Sequence, residues 1–145
     1  MPTVKALSDL PAAPGLGVRL WSDLSRWPTF IDGFGHVLEV SDDWPEVGSK
    51  VIWQSGPAGR GRVTERVLAR ESNRFTTEVF EDQLTGEQTL RFGDGAVEMQ
   101  LDYELTKGGP LRGLTDVLFI RRALTMALDR TLVRFSREAA DEATL

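Results

Sequence analysis

Three polar side chains interrupt otherwise apolar patterns, and they define the chemistry this chain can offer: Glu65, Tyr103 and Arg121. In the run Arg62–Glu71, Val63, Val67 and Ala69 alternate with Arg62, Thr64, Arg66 and Arg70, and Glu65 falls on the apolar side. In Ala96–Thr106 the same alternation puts Val97, Met99, Leu101, Tyr103 and Leu105 on one face, with Glu98, Gln100, Asp102 and Glu104 on the other. Towards the C-terminus, Leu114, Val117, Leu118, Leu124, Leu128, Leu132, Phe135 and Ala139 form one stripe at helical spacing, and Arg121 lies near its middle. A buried charge must be paired or must reach water. Two readings follow. In the structural reading Arg121 snorkels to the rim, or Glu65 and Arg121 form a purely structural pair. Alternatively, acid, guanidinium and phenol converge on an apolar space and form a ligand pocket, with Trp53, Met99, Leu101, Leu124 and Leu128 as further contacts.

Other chemistry is largely excluded. With no cysteine there is no disulfide, thiolate nucleophile or Cys-type zinc site. The one histidine, His36, rules out a multi-histidine metal site and is expected to be an exposed or hydrogen-bonded strand residue. Gly56–Gly61 resembles a phosphate loop only in its glycines. It lacks the following Lys-Ser/Thr and leads into a strand, so a hairpin turn is expected. Asp42, Asp43, Glu46, Asp94 and Glu98 lack calcium-loop spacing and read as solvated turns. Trp21, Trp27, Trp44 and Trp53 are candidates for core packing or for the wall of a cavity. No metal and no cofactor is expected.

The elements that must position these residues read in one unbroken order. Met1–Leu7 suits a first strand, and Ala13–Phe30 suits helices, with Pro28 expected to split them. Strand-length runs follow at His36–Ser41, Val51–Ser55, Arg62–Glu71, Arg74–Asp82, Glu87–Phe92 and Ala96–Thr106. The short links between them, including Thr85–Gly86 as a turn, require antiparallel neighbours. Gly108–Gly109–Pro110 ends the sheet, and a long helix runs from about Leu111 to Ala140. The expected fold class is α+β: a curved antiparallel sheet of about seven strands around a long C-terminal helix, forming one domain over residues 1–145.

Composition narrows the partners. The chain is 41% hydrophobic and 27% charged, as a globular domain is, and its net charge of −5 argues against nucleic-acid binding. The opening MPTVKALSDL lacks a signal-peptide apolar run and no stretch approaches a membrane span, so no integral membrane segment and a cytoplasmic location are expected. Phe119, Met126 and Val133 recur every seven residues away from the main stripe. They are either covered by the curling sheet and the N-terminal helices or form a homodimer contact.

The chain resembles the START-like, or helix-grip (SRPBCC), superfamily, which includes polyketide cyclases and lipid-transfer proteins. The resemblance rests on Leu20–Trp21 through Arg26–Trp27–Pro28, on Glu46–Val47–Gly48 and Gly61–Val67, and on the run from Tyr103–Glu104–Leu105 to Leu132–Val133–Arg134–Phe135. It implies a cavity beneath the last helix and a small hydrophobic ligand, such as a lipid or polyketide. It assigns no catalytic set. Two functions are therefore carried forward: binding or carriage of a hydrophobic metabolite, and a cofactor-free aromatase/cyclase or related lyase acting in the same cavity.

Overall fold

The computed structural model describes residues 2–57, 59–106 and 114–145, with the backbone alone for 114–117. Strand β1 (Thr3–Asp9) leads into helix α1 (Pro14–Ser22), a 3-10 turn (Leu24–Arg26) and the short helix α2 (Trp27–Phe30). Strands β2 (Phe34–Val40), β3 (Lys50–Ser55), β4 (Arg62–Arg70), β5 (Arg74–Phe80), β6 (Leu84–Phe92) and β7 (Ala96–Leu105) follow, and helix α3 (Leu114–Ala143) closes the chain. The seven strands form one antiparallel sheet in the order β1-β7-β6-β5-β4-β3-β2, so the first strand pairs with the last. The expected helix start at Leu111 and the Gly108–Pro110 breaker lie outside the described residues.

The alternation expected for β7 is observed: Val97, Met99, Leu101 and Tyr103 are buried, while Glu98, Gln100 and Asp102 keep partial contact with water and Glu104 is exposed. In β4, Val63, Glu65 and Val67 point inward together. On the outer face Arg66 stands opposite Glu78, the arginine–acid pairing that the strand pattern allows.

Most boundaries shift by a few residues, and two of the shifts have a physical cause. The helical break falls at Asp23, before Pro28, and Asp23 caps the following turn by accepting from the Ser25 amide at 3.1 Å. Pro28 instead sits in the first turn of α2, where its missing N–H leaves no bond unmade. Thr85 and Gly86 are not a turn but part of β6, which begins at Leu84. Gly86 stands opposite Tyr103, and a β-carbon there would strike the backbone of Asp102 and Tyr103. Close approach, not a turn, requires that glycine.

Helix α3 is held by aromatic rings. Phe135 stacks on Trp21 at 5.2 Å and meets Phe30 at 5.1 Å and Phe92 at 5.8 Å, so one side chain joins α3 to α1, α2 and the sheet. Gly17 on α1 lets the Phe92 ring lie against the helix backbone, where a side chain would collide with it. A second aromatic group surrounds Trp27, which meets Phe34, Trp44 and Trp53 edge-on at 6.0–6.3 Å. The Trp27 indole donates to the Trp21 carbonyl at 2.7 Å and links the two groups. Arg26 adds a polar tie, bridging Glu138 at 2.8 Å and Glu142 at 3.0 Å.

Burial along α3 is uneven. Leu128, Leu132, Phe135 and Ala139 are in the core, whereas Leu118 is 60% exposed. The expected stripe therefore has the right azimuth but is gripped only from Leu128 onward. The side chains of Leu114 and Val117 lie outside the described residues. Phe119, Met126 and Val133 are also exposed, so the sheet and N-terminal helices do not cover them.

Truncating the hub should dominate stability. Phe135→Ala is expected to lose about 3–5 kcal/mol, while Phe119→Ala stays within about 0.5 kcal/mol. Urea unfolding of the two variants checks this, and comparable losses would contradict the half-gripped helix.

Candidate functional site

Where the grip ends, a cavity begins. The first half of α3 overhangs the tips of two hairpins, and between them lies a pocket of about 470 Å3. Its apolar wall is supplied by Ile120, Ala123, Leu124 and Ala127 of α3 facing Leu84 and Leu105, which pair across β6 and β7. Its polar end is formed by Arg60 and Gly61 from the β3–β4 loop, Glu81 and Asp82 from the β5–β6 hairpin, and Asp32 and Arg130.

The charges there are tied in pairs. Arg60 donates through Nε to Glu81 Oε2 at 2.5 Å, joining the two hairpin tips, and its guanidinium lies 5.4 Å from the centre of the Trp53 ring. That combination orients the guanidinium by an ion pair and by the ring face. Asp32 accepts from Arg130 at 3.1 and 3.2 Å and from Arg134 at 3.2 Å, while its backbone N–H donates to Thr131 Oγ1 at 3.0 Å. These bonds fix the chain after α2 against the middle of α3.

Glu65 lies behind this polar end, 2% exposed. Its carboxylate accepts from the Trp53 indole N–H at 2.9 Å and from the Thr77 hydroxyl at 2.9 Å. Burial pushes the carboxyl above its ordinary range. The Trp53 bond, the nearby positive charge of Arg60 and the Thr77 bond oppose that rise, and the charge of Glu81 adds to it.

The expected site residues separate into three groups. Trp53 and Glu65 are brought together by a hydrogen bond, and Met99, Leu101, Tyr103 and Leu128 are buried in the same core. Leu124 alone of the expected set is on the cavity wall. Arg121 is exposed, and the expected Glu65–Arg121 pair is not formed: the acid is satisfied by Trp53 and Thr77 instead. The reason is axial position. Arg121 is two turns before Leu128 on the same azimuth, on the stretch of helix that the sheet does not reach.

Sequence reasoning missed Arg60, Glu81, Asp32 and Arg130. Arg60 was visible only as the cation inside a glycine-rich loop, and Arg130 as a charge off the main stripe. Their partners are distant in sequence, and alternation carries no signal for a loop tip. Among the described residues, no group of three or more His, Asp or Glu side chains is placed to hold a metal ion.

No protein-family model and no curated protein sequence matches the chain. Solved structures do. The protein TTHA0849 from Thermus thermophilus superposes with a TM-score of 0.75 at 21% identity, over 98% of this chain and 99% of that one. The ZhuI aromatase/cyclase from Streptomyces sp. R1128 gives 0.70 at 14% identity, over 99% and 93%. Major latex-like protein 151 from Panax ginseng gives 0.64 at 14% identity, over 98% and 97%. This is the helix-grip fold. In this helix-grip chain the grip is confined to the second half of the helix, which leaves the cavity open beneath the first half.

The buried acid gives a measurable signature. The folded chain holds the Glu65 proton to higher pH than the unfolded chain, so between those two values folding takes up a proton and stability falls as pH rises. Relative to Glu65→Gln, the parent should lose stability through that window when urea unfolding is followed from about pH 4 to pH 8. Parallel stability curves for the two proteins would contradict the assignment.

Proposed function

We propose that residues 1–145 form one domain that binds or carries a small hydrophobic molecule in the cavity beneath the first half of α3. The observation that carries this reading is the apolar wall of Ile120, Ala123, Leu124, Ala127, Leu84 and Leu105, on a pocket of about 470 Å3. That volume lies in the range of small-molecule sites, and the apolar wall is matched by a polar end of comparable extent, with Asp32, Arg60, Glu81, Asp82, Gln83 and Arg130. The apolar part of the ligand lies along the helix, and a carbonyl or hydroxyl reaches Arg60, Glu81 or Asp82. No metal or cofactor takes part, and the site of action is the cytoplasm. Among the described residues no helix is long and apolar enough to cross a membrane.

A second reading, an aromatase/cyclase or related lyase, is favoured by one specific observation. Arg60, Glu81 and Asp82 stand at the cavity wall, so electrostatic stabilisation of a developing charge is within the means of the site. The likeness in fold to ZhuI supports the same reading.

Native mass spectrometry of the purified chain separates the two. A co-purifying apolar species that is bound and left unchanged supports carriage; turnover of a supplied poly-β-keto chain supports the enzyme. In either case Ala127→Trp, which places an indole in the cavity, should weaken binding of a fluorescent fatty acid by about tenfold or more while leaving the melting temperature nearly unchanged. Undiminished binding by a folded Ala127→Trp protein would remove the cavity from the account.

A further inference from the structure

The exposed side of α3 is chemically unlike the rest of the molecule. Phe119, Met126 and Val133 lie on it 72%, 47% and 47% exposed, spaced seven residues apart and so in one line of about 20 Å. At 100° per residue Arg122, Arg130, Arg134 and Arg137 flank that line. These four arginines and one acid, Asp129, give that side a net of +3 in a chain whose net is −5, so the remainder carries −8. Asp32 neutralises one of these charges by holding Arg130 and Arg134, and in doing so fixes both guanidinium groups in place. A shallow groove of about 220 Å3 is framed by Arg130, Arg134 and Arg137, with Val133 and Asp129 beside them.

We propose that this face docks the protein on an anionic phospholipid surface, with Phe119, Met126 and Val133 entering the outermost apolar layer and the arginines meeting lipid phosphates. A helix with an apolar line bordered by cations is suited to lie in such an interface. Guanidinium groups match phosphate oxygens in pairs of parallel hydrogen bonds. A second copy of this chain is a poorer occupant, because like faces would oppose arginine to arginine. A folded acidic protein is also poorer: a single line of three apolar side chains is far short of the shaped, roughly 1,000 Å2 contact that a stable protein interface needs. The cavity adds position, since Phe119, Ala123 and Arg130 belong both to its wall and to this side of the helix, so the mouth opens beside the docked surface. The proposal goes beyond the cavity reading, and its test uses no cavity ligand.

The full chain is sedimented with extruded vesicles of phosphatidylcholine alone and of phosphatidylcholine with about 30% phosphatidylglycerol. The expected result is binding to the anionic vesicles only, weakening as added salt shortens the screening length. Arg122→Glu combined with Arg137→Glu spares the Asp32 contacts and should lower anionic binding at least tenfold, at roughly fivefold or more per residue. Val133→Ser should lower it by about threefold without changing the salt dependence. Circular dichroism confirms that each variant is folded, and the salt series on the parent protein stands independently of them. Four results would each overturn the proposal: no vesicle binding, equal binding to neutral and anionic vesicles, a dimer that the double charge reversal dissociates, or capture by soluble polyglutamate as tight as by vesicles. The last would assign the face to an acidic protein instead.

Discussion

The stack of Phe135 on Trp21, with Phe30 and Phe92 closing around it, is the contact on which the molecule depends. An open antiparallel sheet buries its inner face only if another layer covers it, and here α3 supplies that layer around one residue at the centre of three aromatic side chains. Aromatic side chains bring large buried areas and a favoured stacking geometry at the cost of few rotatable bonds. The second group, around Trp27 and Trp53, extends the same packing towards β3, and the Trp27–Trp21 hydrogen bond ties the two into one core.

Polar ties follow the same division of the helix. Arg26 binds Glu138 and Glu142 near the gripped end, and Asp32 binds Arg130 and Arg134 near its middle. Among the described residues no ion pair holds α3 before Arg130. Covering layer and ion pairs thus both stop near the middle of the helix, and the cavity occupies the space beneath the part they leave. A 30-residue helix is about 45 Å long, more than a sheet of 6–10-residue strands spans across its inner face. Length mismatch therefore produces the cavity beneath the first half, whereas the arginine-flanked line runs along the outer side of both halves.

Much of this was legible in the sequence because period carries it. Alternation placed Glu65, Met99, Leu101 and Tyr103 inward, and helical spacing placed Leu128, Leu132, Phe135 and Ala139 against the sheet. Period says nothing about where along an element burial stops, which is why Leu118 and Arg121 were expected inside and are exposed. It is also silent about loops. Arg60 and Glu81 meet across 21 positions of sequence at two hairpin tips, and no local pattern pairs them. Thr85–Gly86 misled for a different reason: glycine marks both turns and close backbone contacts, and only the neighbouring strand distinguishes them.

The central claim is that α3 is one continuous helix gripped along its second half and open along its first. Amide hydrogen exchange read residue by residue along the helix tests it most directly. The account predicts protection near that of global unfolding from Leu128 to Ala139, and markedly faster exchange from Phe119 to Ala127 through local opening. A hydrophobic ligand should slow exchange in the first stretch and leave the second unchanged. Uniform protection along the whole helix in the ligand-free protein would contradict the half-gripped architecture on which the cavity rests.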